Sequence, residues 1–95
     1  MEQQIALRVL TPEGPAIDDE AVSVIASGET GQIGFLRNHA PLVTTLKPGK
    51  LSWRDTAGPW KVAHLGAGIL EITHNRLTIL TDFVSTEPVS SAAHA

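Results

Sequence analysis

Cysteine is absent from this 95-residue chain, so no disulfide framework holds the fold together. That absence fits a reducing compartment. No apolar run approaches the ~20 residues that a membrane-spanning helix needs. Basic residues are few and scattered. Seven Lys and Arg stand against ten Asp and Glu, and the net charge of −3 excludes the clustered cationic surface of a nucleic-acid binder. The start, Met1-Glu2-Gln3-Gln4, carries neither a secretory n-region nor an Arg-rich transit signal, so a bacterial cytoplasmic protein is expected. Helical periodicity is missing as well, because no segment sustains the i, i+3, i+4, i+7 pattern.

What is present suits one small domain. Hydrophobic residues make up 42% of the chain and charged residues 18%, which is enough apolar material for a core. Turn signals recur roughly every eight to twelve residues between short apolar runs, the spacing of an all-β sandwich or barrel. Residues 5–10 read as a first strand, with Ile5, Leu7 and Val9 on one face. Residues 11–15, with Pro12 and Gly14, turn the chain. Ala16 and Ile17 form a short extension, and Asp18, Asp19 and Glu20 read as an acidic bend. Residues 21–26 are β-like, 27–31 a loop and 33–36 a short strand. A strand over 42–46 precedes a turn at Lys47, Pro48 and Gly49. In residues 50–54, Leu51 and Trp53 point inward and Lys50, Ser52 and Arg54 outward. Residues 55–58 are a hairpin loop, 60–65 return, and Gly66-Ala67-Gly68 marks a bulge or a close backbone approach. Residues 69–73 and 76–80 pair across His74-Asn75, where Asn tolerates the positive φ that a two-residue turn demands. The domain is expected over residues 1–84, with a flexible tail over 85–95.

No constellation for catalysis emerges. His39, His64, His74 and His94 lack HxH, HxxxH or HExxH spacing, and nothing local brings His39, His64 and Glu71 together as a metal site. Adjacent carboxylates at positions 18–20 point to opposite faces of a strand, a poor arrangement for acid–base work. Gly66-Ala67-Gly68 has no following helix, so it is no dinucleotide loop. There is no GxSxG elbow. Catalytic, cofactor-binding and metal-binding residues are therefore all expected to be none. Trp53 and Trp60 suit core or cross-strand packing better than a stacking platform.

The densest signal runs from Gly31 to Val43: Gly31-Gln32-Ile33-Gly34-Phe35-Leu36-Arg37-Asn38-His39-Ala40-Pro41-Leu42-Val43, then Leu46-Lys47-Pro48-Gly49. Glycines free the backbone and prolines remove ladder donors, so this is a shaped loop handing the chain between strands. Four segments, Gly31-Gln32-Ile33-Gly34, Asn38-His39-Ala40-Pro41, Lys47-Pro48-Gly49 and Gly66-Ala67-Gly68-Ile69-Leu70-Glu71-Ile72, follow one another in order. Together with Leu7-Arg8-Val9-Leu10-Thr11-Pro12-Glu13 and Asn75-Arg76-Leu77-Thr78-Ile79-Leu80, they resemble the signature of the epsilon subunit of F-type ATP synthases, in its N-terminal β-sandwich domain. The likeness covers about residues 5–84.

The resemblance implies a flattened β-sandwich of two antiparallel, five-stranded sheets, about ten short strands in all. It implies a non-catalytic rotor subunit at the foot of the central stalk, binding the gamma subunit and resting on the polar loops of the c-ring. The complex would be membrane-associated at the cytoplasmic face of the bacterial inner membrane, with no cofactor, nucleic acid or small-molecule substrate for this chain. By the same resemblance, Thr30, Gly31, Gln32, Arg37, Asn38, His39, Ala40 and Pro41 are the partner contacts, with both loops at the ring-facing end. Gly34, Pro48, Gly49, Gly66 and Gly68 are structural turns. Gln32 stands where members often carry Glu, and Arg37 replaces a common Pro and supplies a cation. Full-length members continue into two antiparallel helices that inhibit ATP hydrolysis and in some cases bind ATP. Here twelve residues follow Phe83 without helical period, so no C-terminal helical hairpin and no nucleotide site are expected. The alternative is an unrelated small β-sandwich binding module for a carbohydrate or protein ligand, with Trp53 and Trp60 exposed as a pair.

Overall fold

Buried and exposed residues alternate through most of the chain, and that period of two is what a strand with one wet face requires. The computed structural model describes residues 4–55 and 58–86, and among them forms ten strands and no helix. The strands are β1 (Ile5–Thr11), β2 (Gly14–Ala21), β3 (Ser23–Gly28), β4 (Gly31–Leu36), β5 (Leu42–Leu46), β6 (Gly49–Arg54), β7 (Lys61–Leu65), β8 (Gly68–Thr73), β9 (Arg76–Thr81) and β10 (Val84–Thr86). No helix among these residues is long and apolar enough to cross a membrane.

The strands form two layers of five. One runs β4-β3-β6-β7-β10 and the other β5-β8-β9-β1-β2. A single backbone pair, Gly28 with Leu46, carries the hydrogen-bonded path from one layer to the other. All pairings are antiparallel except β1 with β9, which run parallel from Ala6 opposite Arg76 to Leu10 opposite Leu80. The core lies between the layers. Ile5, Leu7, Val9, Leu70, Ile72, Leu77 and Ile79 fill it from one side, and Val24, Phe35, Leu51, Trp53 and Ala63 from the other.

Three stretches differ from the sequence reading. Residues 18–20 are not a bend but the middle of β2, where Asp18, Asp19 and Glu20 stand opposite Arg8, Leu7 and Ala6. β2 is an edge strand, and charges there discourage pairing with another chain. Pro15 is tolerated on that edge because its missing N–H breaks no inner ladder. Opposite Val9 and Leu10 stand Ile17 and Pro15, which leaves Ala16 as a bulge. Gly34 is not at a turn but inside β4, opposite Ile25. Finally, Val84–Thr86 pair with Leu65, His64 and Ala63, so the sheet continues past the expected start of the tail. Residues 87–95 of that tail, and Thr56 and Ala57 of the expected hairpin loop, lie outside the described residues.

Asp19 bridges the two layers. The pleat turns it inward in the row of Ile17 and Ala21, and its Oδ2 accepts from Trp53 Nε1 at 2.9 Å and from Lys61 Nζ at 2.8 Å. Partial burial pushes the Asp19 carboxyl up, but bonds from Lys61, Trp53 and the Glu20 N–H outweigh it and hold the group below its ordinary 3.8. Hydrogen bonding to Asp19 raises Lys61 above its ordinary 10.5. A depressed carboxylate stabilises the fold above its unfolded pKa, and that contribution disappears as pH falls through the folded value. Lys61 behaves oppositely, contributing below 10.5 and losing its contribution as pH rises through its raised value. The pair is part exposed, so its worth is modest. Asp19→Asn should cost about 1 kcal/mol at neutral pH. The gap between variant and wild type in urea midpoint should close below pH 3.8; an equal gap at both pH values would refute the charge argument.

Candidate partner-contact site

The 37–41 segment is shaped by a few local bonds. The chain turns as soon as β4 ends, and the His39 N–H donates to the Leu36 carbonyl at 3.2 Å. Asn38 has φ 63°, a left-handed conformation that Asn tolerates better than most residues. The half-buried His39 ring tilts against Phe35, with centroids 4.9 Å apart at 57°. Its Nδ1 lies 2.7 Å from the Ala40 carbonyl oxygen, which can only accept, so Nδ1 donates to it. Arg37, Asn38, Ala40 and Pro41 are exposed beside it.

A second turn meets this loop. His74 and Asn75 join β8 to β9 with φ 50° and 60°, the pair of positive values that a type I′ hairpin requires. The Asn38 N–H donates to Asn75 Oδ1 at 2.6 Å, and Asn75 Nδ2 donates to Asn38 Oδ1 at 3.1 Å. The Asn75 carbonyl accepts from the Ala6 N–H at 2.8 Å. Sequence reading saw Asn75 only as a turn former. The 37-residue separation between the two asparagines hides the contact from any local pattern.

Thr30, Gly31 and Gln32 are also exposed. Gly28 pairs with Gly31, so the β3–β4 connection is a two-residue turn, shorter than the expected loop over 27–31. Gly31 has φ 137°, and Glu29 Oε2 accepts from Thr45 Oγ1 at 3.1 Å. This turn precedes β4, whereas the His39 loop follows it. The two segments therefore do not share one end of the sandwich, as the resemblance implied. Four residues of strand, 33–36, lie between them, so at ~3.3 Å per residue their nearest ends are roughly 16 Å apart.

The remaining positions are structural. Pro48 lies between β5 and β6, and a Cβ on Gly49 would meet Ser27 Oγ at 2.5 Å. Gly66 and Ala67 link β7 to β8, and Gly68 begins β8 against the Leu80 backbone. Trp53 is 5% exposed and Trp60 is 38% exposed under the Arg54 guanidinium, so the two form no shared platform. Among the described residues, no three His, Asp or Glu gather as metal ligands.

One feature had no counterpart in the sequence reading. The outward face of β5-β8-β9-β1-β2 carries Val43, Ile69 and Leu80, exposed by 65, 49 and 51%. Register places Thr45, Ile69, Leu80 and Leu10 in one row across that face. Of these, Leu10, Ile69 and Leu80 line a shallow hollow with Pro12 and Ala67. The signal was available as apolar residues at outward positions of 69–73 and 76–80, but only the register unites them.

Residues 4–87 match the family described as ATP synthase, Delta/Epsilon chain, beta-sandwich domain. The chain is 35% identical over 82 residues to the ATP synthase epsilon chain of Desulfosudis oleivorans, covering 86% of this chain and 62% of the relative. To the chloroplastic ATP synthase epsilon chain of Medicago sativa it is 42% identical over 76 residues, covering 80% and 56%. It spans about three fifths of the length of the curated relatives it matches. Among solved structures, a chain of the Euglena gracilis mitochondrial ATP synthase superposes with a TM-score of 0.83 at 18% identity, covering 98% of this chain and 60% of that one. A chain of the Tetrahymena thermophila mitochondrial ATP synthase central stalk and c-ring gives 0.71 at 13% identity, covering 87% and 66%. At such identities these two establish the fold alone.

Proposed function

The chain belongs to the delta/epsilon-chain β-sandwich family of ATP synthases, and from that membership we propose that it is a non-catalytic central-stalk subunit, held by gamma and touching the c-ring. It carries out no reaction itself and supports the rotary coupling of proton flow to ATP synthesis, at the cytoplasmic face of the bacterial inner membrane. The observation that carries this reading is the apolar row on the outer face of the second sheet. Ile69 and Leu80 are each about half exposed there, next to Val43. Clustered apolar side chains at outward positions point to a partner that removes them from water. A permanent rotor contact calls for roughly 2,000 Å² or more of buried surface, partly apolar. Gamma supplies that contact. The exposed turn of Thr30, Gly31 and Gln32 and the loop of Arg37, Asn38, His39, Ala40 and Pro41 lie at opposite ends of β4. They engage separate surfaces of the stalk and ring, and such contacts can be polar and wet.

The test is assembly. Ile69→Glu with Leu80→Lys sets opposite charges across from each other on an already exposed face and should cost no more than about 1 kcal/mol of stability. Capture by purified gamma should weaken about 100-fold or more, since buried apolar anchors carry most of an interface's energy. Unchanged capture by a folded double variant would remove the apolar row from the interface.

A further inference from the structure

Three described non-glycine residues have positive φ: Asn38, His74 and Asn75. All three lie at the same end of the sandwich, where β4 ends and β8 turns into β9. Left-handed backbone costs energy for any residue with a Cβ and persists where the surroundings over-determine it. Turn closure alone explains His74 and Asn75. It does not explain why the Asn75 amide is spent on a loop 37 residues away.

The geometry points to Asn75 as a positioning residue that presets the 37–41 loop for its partner. This rests on the rotor reading above, in which that loop is a contact. The amide of Asn75 is used twice on one neighbour, accepting from the Asn38 N–H at 2.6 Å and donating to Asn38 Oδ1 at 3.1 Å. A side chain that satisfies both the backbone and the side chain of one residue fixes its direction as well as its place. Asn38 in turn sets the path of His39, whose ring is seated on Phe35 and whose Nδ1–H is closed on Ala40. The Asn75 carbonyl holds the Ala6 N–H, so the anchor is itself tied to the start of β1. The loop is thus pinned by β4 and by the β8–β9 turn, which is itself tied to β1, while its Arg37, Asn38, Ala40 and Pro41 remain exposed. A loop ordered before encounter loses less conformational freedom on binding, and this is how a remote side chain raises affinity without touching the partner.

The experiment uses the whole chain and two variants. Asn75→Gly keeps the left-handed backbone and removes the amide. Asn75→Asp keeps an acceptor for the Asn38 N–H and loses the donor. Two quantities are read: hydrogen exchange at the Asn38 amide, and rebinding to membranes that hold the rest of the synthase but lack this chain. Asn75→Gly should speed exchange at Asn38 about tenfold beyond its effect on core amides, and weaken rebinding about five- to tenfold, which is the order of one hydrogen bond. Asn75→Asp should restore most of the exchange protection. Fast exchange in Asn75→Gly with undiminished rebinding overturns the positioning role, and so does unchanged exchange. If the wild-type chain fails to rebind, the rotor reading falls and takes the partner half of this proposal with it. The exchange data then decide whether Asn75 holds the loop.

Discussion

Phe35→Ala is expected to be the most damaging single change, costing about 3–5 kcal/mol, because truncating a buried Phe loses its transfer energy and leaves a cavity. Phe35 is fully buried, opposite Val24, and is among the largest side chains in the core. It comes from β4, which among the described residues pairs only with β3. Net stability for a domain of this size is on the order of 5–10 kcal/mol. The variant would then keep a marginal fold, with a melting midpoint lowered by roughly 15–30 °C. There is a functional signature too. The His39 ring rests on Phe35 at 4.9 Å, so the loop should lose order before the sandwich melts. Calorimetry gives the first effect, and His39 ring resonances followed with temperature give the second. A loss below 1 kcal/mol would mean that the two sheets close over the gap.

Gly68→Ala should follow, at about 2–3 kcal/mol, the range for forcing extra atoms into a packed site. A Cβ at Gly68 runs into the carbonyl oxygen of Leu80, with Thr81 Cβ also close at 3.2 Å. Backbone cannot swing away as a side chain can. The only relief is to part β8 from β9 where Gly68 pairs with Thr81. That parting also strains the bond from Thr81 Oγ1 to the Ala67 carbonyl, 2.9 Å long. Gly34→Ala is the internal control, because a Cβ there meets nothing within 4 Å. Equal urea midpoints for the two variants would show that the approach at Gly68 relaxes at little cost.

Much of the fold was legible because its rules are local. The alternation in 50–54 and the His74-Asn75 hairpin each follow from a few adjacent residues, and the structure has both. Pro48 lies between β5 and β6, but Gly49, expected in the turn, already begins β6. The Gly66-Ala67-Gly68 step was read as a bulge or a close approach, and Gly68 lies against the Leu80 backbone. The acidic strand was missed because Asp18, Asp19 and Glu20 have low strand propensity, yet pairing with β1 overrides it. The inward carboxylate is then satisfied by Trp53 and Lys61, partners that no spacing rule reveals. The placement of the candidate contacts failed for a similar reason. Gly31 to Pro41 is one continuous signal in sequence, but a strand within it carries its two halves apart. The Asn38–Asn75 pair and the Ile69–Leu80 row both depend on long-range register, which a single sequence does not encode in any window.

The parallel union of β1 and β9 sets an order of events during synthesis. The first strand to leave the ribosome can pair at once with β2, but its other neighbour is made only about seventy residues later, since Ala6 waits for Arg76. Closing so distant a pair is slow. The hairpins β3–β4 and β6–β7 are complete in sequence before then, so the β1–β2 ribbon can dock on β9 only after them.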